Sequence, residues 1–145
     1  MGEALIEKDE LERLLKVEFP ESFGGASGLE ILGVWHGGCR IKQNYHEHSL
    51  RPGGTVSGPV MMRLADTCVY VAVLASVGWT PLAVTTSLNI NFLRKPSPAA
   101  LIGECRLVKL GKRLAVGEVS IRSEGEEHLV AHATATYSIP ATRSA

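Results

Sequence analysis

The stretch from Ser57 to Trp79, SGPVMMRLADTCVYVAVLASVGW, constrains this chain more than any other. Seventeen of its 23 residues are apolar or glycine. A segment apolar nearly all round is buried on all sides. Yet Asp66 sits in its first half, with Arg63 three residues before it. A carboxylate there is costly unless paired or hydrogen-bonded, so its presence needs a reason. Pro59 suits a first helical turn, where its missing N–H is no loss. Gly58 falls near the N-cap with Ser57 just before it, and Gly78 and Pro81 close the helix. The result is a helix of about twenty residues, ~30 Å long. That length raises the question of a membrane span. Pro59, Arg63 and Asp66 cluster in one part of it and argue against a span, so a buried core helix is expected.

The totals fit one domain over residues 1–145, with a core of its own. The formal net charge is zero. No basic excess draws the chain to nucleic acid or to an anionic membrane, and a phosphate-bearing ligand would need a local patch. Cys39, Cys68 and Cys105 are odd in number and far apart, which reads as free thiols in a reducing, cytoplasmic compartment. The N-terminus, MGEALIEKDELERLLK, is too acidic for a signal peptide.

Residues 3–17 read as a helix, with Leu11, Leu14 and Leu15 at apolar spacing, and Pro20 lies just beyond its end. Residues 22–28 (SFGGASG) read as loop, completing an N-terminal helix-and-loop segment over 1–28. Leu29–Val34 and Cys39–Tyr45 read as strands around a His36-Gly37-Gly38 turn. Residues 46–54 (HEHSLRPGG) read as a polar connector. After the long helix, Leu82–Arg94, Ala100–Leu110, Arg113–Ser123 and His128–Ile139 alternate as strands separated by short turns, which join antiparallel neighbours. The tail from Pro140 to 145 reads as frayed. The fold class is α+β, a layer arrangement with one long helix on a sheet. A helix apolar all round requires a strongly curved sheet, or a partner subunit as well.

Arg63, Asp66, Thr67 and Tyr70 fall at i, i+3, i+4 and i+7, one polar stripe on the helix. Two readings stand. In one, Arg63 neutralises Asp66 and Thr67 caps a backbone carbonyl. In the other, Asp66 is an acid–base or nucleophilic carboxylate in a cleft. The helix start at Ser57-Gly58-Pro59 offers unpaired N–H groups at the positive end of the dipole, suited to an anion or a developing oxyanion, or is an ordinary cap. Gly58 and Asp66 are eight residues apart, ~12 Å along one helix. Both must lie ~3 Å from a reacting centre, so one copy cannot supply both. Two antiparallel copies can, which implies a homodimer with two shared sites.

At these residues the sequence resembles a known family. Gly-Gly-Thr-Val-Ser-Gly-Pro-Val (53–60), Leu-Ala-Asp-Thr (64–67), Leu-Asn-Ile-Asn-Phe-Leu-Arg (88–94), Lys-Leu-Gly-Lys-Arg-Leu-Ala-Val (109–116) and Ala-Thr-Ala-Thr-Tyr (133–137) are similar to the phenylacetate-pathway (PaaI-like) branch of the hotdog-fold acyl-CoA thioesterases, from about Leu29 to Tyr137. The resemblance implies a curved antiparallel sheet wrapped round a central helix, dimers, and dimers of dimers. It implies that Asp66 acts on the thioester as nucleophile or general base, that the Gly58 N–H of the opposite subunit polarises the carbonyl, and that Thr85 assists the acid or its water. Where the family usually reads His-Gly-Gly, this chain has Ser57-Gly58-Pro59. Where an Asn often stands six residues earlier, it has Arg51.

Ser57, Arg51, Arg63 and Thr67 are therefore candidate substrate contacts. Arg94, Lys95, Lys109, Lys112 and Arg113 sit at strand ends and turns, either as a solvated rim or as a landing site for coenzyme A phosphates; Arg94, Lys112 and Arg113 are taken as candidates. His46 and His48 on the connector are read as no metal site, and His36, His128 and His132 are scattered. Trp35, Trp79 and Phe23 are core or acyl-pocket residues. The expected function is hydrolysis of an acyl-CoA, the partner being that substrate, with no metal or redox cofactor. A non-catalytic acyl-CoA binder of the same fold is the alternative. A dehydratase of this fold would want a catalytic His paired with the Asp near the pocket, and the lack of any His on the central helix counts against it.

Overall fold

The computed structural model describes residues 2–23, 28–45, 50–51 and 55–141. In chain order its elements are α1 (Lys8–Glu18), α2 (Pro20–Phe23), β1 (Leu29–Trp35), β2 (Gly38–Gln43), β3 (Leu50–Arg51), β4 (Thr55–Val56), α3 (Gly58–Val77), β5 (Val84–Phe92), β6 (Leu101–Leu110), β7 (Leu114–Ser123) and β8 (Leu129–Ser138). The apolar stretch forms α3. Its backbone enters through Ser57 in an extended conformation (φ −73°, ψ 154°) and stops at Gly78, whose positive φ of 100° a side chain would resist. Valines favour strands over helices. Here burial decides the matter, because every residue from Val71 to Ser76 is buried.

Around α3 runs a six-stranded antiparallel sheet in the order β1-β2-β6-β7-β8-β5. The helix packs against all six strands. This is the hotdog architecture the resemblance implies. The sheet can approach so closely because its inner face is floored with small residues: Gly103, Gly117, Ala131, Ala133 and Ala135 are all buried. A Cβ at Gly103 would lie 2.8 Å from Cys68 Sγ and 3.2 Å from Leu64 Cγ. Gly103→Ala is therefore expected to lower stability by ~1–3 kcal/mol, the usual cost of overpacking a core. An unchanged urea midpoint would contradict this close approach. Among the described residues, α3 alone is long and apolar enough to cross a membrane, and the sheet wraps it. Cys39, Cys68 and Cys105 are buried free thiols between helix and sheet, as expected. Burial pushes the Cys39 thiol well up, and its Sγ donates to the Cys68 carbonyl at 3.0 Å.

Four expectations change. The first helix starts at Lys8, not residue 3, because the preceding residues bond elsewhere: the Leu5 N–H donates to Ala75 O (2.8 Å) and Gly2 bridges His36. Ser22 and Phe23 end α2 instead of opening a loop, the Phe23 N–H donating to Phe19 O at 3.0 Å. In the polar connector, Leu50–Arg51 pairs with Thr55–Val56 as β3–β4. Finally, β5 does not pair with β6. Among the described residues its partner in the sheet is β8, because Lys95-Pro96-Ser97-Pro98 is no hairpin turn and carries the chain across to β6 in the middle of the sheet, between β2 and β7. His46 and His48, and the tail beyond residue 141, lie outside the described residues.

Candidate active site

The sheet covers α3 unevenly. Toward its N-terminal half, Pro59, Met62 and Arg63 are exposed and Asp66, Thr67 and Tyr70 are half-buried. These positions form one stripe, the stripe the spacing predicts. The acid and the arginine do not pair. Arg63 reaches across to β2 and donates to Gln43 Oε1 at 2.8 Å. A buried amide oxygen needs a donor, and the long guanidinium stem supplies one. Asp66 makes no ion pair among the described residues. Two hydroxyls converge on its Oδ1 instead: Thr85 Oγ1 donates at 2.6 Å and Tyr137 Oη at 2.8 Å. The same phenol lies 3.1 Å from the Asp66 backbone carbonyl. Thr67, expected to cap a carbonyl or touch substrate, makes no hydrogen bond among the described residues and faces the cleft described next.

Thr85 reaches the acid because of a fault in the strand ladder. The alternation of β5 puts Thr85 on the face opposite Leu88 and Ile90. In the structure Thr85 pairs with Tyr137 and Ser87 with Thr136, leaving Thr86 as an extra residue. This β-bulge shifts the phase by one, so Thr85 turns inward with Leu88 and Ile90. Bulges re-aim side chains in this way, next to functional sites in particular. Periodicity has no signal for it. Tyr137 is likewise legible in the sequence only as a residue of the last strand.

Asp66 opens on a cleft of ≈ 410 Å³. Its wall comes from the N-terminal segment through Phe19, Ser22 and Phe23, and its far side from Pro81, Ala83 and Val84. Phe19 meets Tyr70 edge-on (5.8 Å, 86°), and Tyr70 leans on Tyr137 (5.9 Å, 32°), so an aromatic chain runs from α1–α2 to the acid. The Tyr70 hydroxyl donates to Pro81 O at 2.9 Å. Burial, helped by the nearby Glu18 charge, raises the Tyr70 phenol far above its ordinary value. Of the aromatic candidates, Phe23 is both core and cleft wall. Trp79 packs on the core, and Trp35 lines hollows away from the acid.

The helix start lies elsewhere. Ser57 makes no side-chain cap bond, and the first N–H groups of a helix have no partner within it. A Cβ on Gly58 would sit 3.4 Å from Phe92 Cζ, so Gly58 abuts the end of β5 while Asp66 abuts its beginning. Within one chain the two do not meet. Arg51 falls on β3. Arg94 follows β5, at the Gly58 end. Lys112 and Arg113 form the β6–β7 turn, where the Arg113 carbonyl accepts from the Ile139 N–H two residues past Tyr137, at the Asp66 end. All three cations are exposed and make no ion pair among the described residues.

The class of protein is set by the fold, a curved sheet wrapped round one buried helix, beside which a hydroxyl-held carboxylate lines an apolar cleft. The model of the Thioesterase superfamily matches residues 53–130, and the chain belongs to that family. A solved structure from Silicibacter sp. TM1040, described as a "putative thioesterase", is 46% identical, with a TM-score of 0.85 over 95% of this chain and 94% of that one. A Saccharolobus solfataricus protein named "putative esterase" is 31% identical over 133 residues, 92% of this chain and 85% of its own. A variant of the phenylacetic acid degradation protein PaaI of Thermus thermophilus is 25% identical, with a TM-score of 0.71 over 83% of this chain and 99% of that one. Together these relatives support thioester hydrolysis as the class of activity.

Proposed function

We propose that this protein hydrolyses acyl-CoA thioesters to a free carboxylic acid and coenzyme A, in the phenylacetate-pathway branch of the family. The observation that carries this reading is the carboxylate of Asp66, which lines an apolar cleft and is held by two hydroxyls through one oxygen, leaving the second without a donor among the described residues. That second oxygen either attacks the thioester carbonyl carbon or takes a proton from the water that does. In both routes the C–S bond breaks, the sulfur leaves as thiolate, and water supplies the second oxygen of the product acid. Thr85 orients the acid. No metal or redox cofactor enters the reaction.

The oxyanion donor is the Gly58 N–H of a second copy. β5 is an edge strand of nine residues with no charge and no proline, flanked by exposed Leu82 and Leu93. Such an edge calls for a partner. A two-fold axis through its middle pairs β5 with its copy and lays the Phe92 end of one strand beside the Thr85 of the other. Because Gly58 abuts Phe92, the partner's helix start then arrives at Asp66. The same operation brings Arg94 of one copy toward Lys112 and Arg113 of the other, which concentrates cations where the coenzyme A phosphates would lie. Dimers of this kind pairing further into tetramers, and a cytoplasmic location consistent with three free thiols, complete the reading.

The test is coenzyme A release from a panel of aryl, medium-chain and hydroxylated acyl-CoA substrates. Tight binding without turnover by the wild type would favour a non-catalytic binder. Reversing the charges in Lys112→Glu/Arg113→Glu is expected to raise KM by about tenfold, a loss of ~1.4 kcal/mol in binding, with kcat little changed. A pantetheine thioester, which lacks the nucleotide phosphates, should not register the change. Equal KM shifts for both substrates would remove these residues from phosphate binding.

A further inference from the structure

The two tyrosines beside Asp66 do different things. The Tyr70 hydroxyl is committed to Pro81 O at 2.9 Å. The Tyr137 hydroxyl is committed to Asp66, 2.8 Å from Oδ1. Tyr137 is 3% exposed, with its ring held against Tyr70. Burial, then the neighbouring Asp66 charge, raises its phenol far above its ordinary value, outweighing the opposing Thr85 hydrogen bond, so it keeps its proton and acts as a donor. Thr85, the cross-strand register partner of Tyr137, donates to the same Oδ1 from beside it at 2.6 Å. Among the described residues no donor reaches Oδ2.

We propose that Tyr137 is a positioning residue: with Thr85 it clamps Oδ1 of Asp66, fixes the carboxylate plane, and leaves Oδ2 as the oxygen that faces substrate. This rests on Asp66 being the reacting carboxylate. A carboxylate with one hydroxyl donor can swing about its Cβ–Cγ bond. With two donors on one oxygen, arriving side by side from the paired strands β5 and β8, it is held. Preorganisation of this kind matters because a reacting group must sit within a few tenths of an ångström of its productive place.

Tyr137→Phe removes the hydroxyl and keeps the ring. It is expected to lower kcat about tenfold with KM within about twofold, the split that loss of positioning gives and loss of binding does not. Thr85→Val should act in the same direction, and Thr85→Ser, which keeps a hydroxyl, should restore kcat. Crystal structures of Tyr137→Phe and Thr85→Val read the clamp without turnover: the Asp66 carboxylate should occupy more than one orientation about its Cβ–Cγ bond in each. Should Tyr137→Phe fail to fold, Thr85→Val tests the same clamp through its other donor. A carboxylate held in one orientation without either hydroxyl, or a kcat that ignores their loss, overturns the clamp. A carboxylate that loosens as expected in a protein whose wild type hydrolyses no acyl-CoA leaves the clamp standing and overturns the hydrolase reading instead.

Discussion

Asp66→Asn should cut the kcat for coenzyme A release by at least about a hundredfold, the lower range for a positioned acid–base group. The substitution is close to isosteric. Its amide oxygen can still accept from Thr85 and Tyr137, so the local geometry has no cause to collapse. Nor is any ion pair broken, because Arg63 belongs to Gln43. What the variant loses is the ability of the second oxygen to attack a carbonyl or to accept a proton from water. Thermal melting should show a fold close to wild type, so that the lost rate is chemical. Equal rates for the two proteins would remove Asp66 from the reaction.

Gly58→Pro should be as damaging, for a different reason. Proline deletes one N–H at the first position of α3, where its ring is well tolerated, and Ser57 before it already has the extended backbone that a following proline demands. Losing one oxyanion donor costs roughly a hundred- to a thousandfold in kcat. The informative experiment mixes the two dead proteins. If Gly58 serves the partner's Asp66, a mixed dimer has one site carrying both defects and one carrying neither. After subunit exchange about half the dimers are mixed, so about a quarter of wild-type activity should return. If each site drew both residues from one chain, mixing would restore nothing.

Much of this was legible because burial writes itself into spacing. The run from Ser57 to Trp79 reads as a buried helix and is one, and the alternation of Ala131, Ala133, Ala135 and Tyr137 marks the buried face of β8 as the structure has it, whereas Leu129, in the same alternation, is half-buried and Val130 is buried in its place across a register shift. What was not legible depends on events between elements. Arg63 and Asp66 share a helix face, which suggested a pair; the better partner, Gln43, lies twenty residues away in sequence and is brought near by packing. The extra residue at Thr86 reverses the phase of β5 without changing its composition. Tyr137 looks like any aromatic in a core strand until Asp66 is placed beneath it. Strand order also escaped, since a proline-rich crossover does not say which strand it passes over or where it rejoins the sheet.

The floor and the wall of the cleft are written in different stretches of chain. Asp66 and Thr85 fall inside the residues that match the family, 53–130, whereas Phe19, Ser22 and Phe23 fall before them. The carboxylate end is locked in place by a helix pressed onto glycine and alanine, and it tolerates little change. The wall is two short helices packed on from outside. Substitutions there can reshape the space for an acyl group while the carboxylate and its hydroxyls stay where they are, so that preference for a substrate and the means of cleaving it can drift apart without either undoing the other.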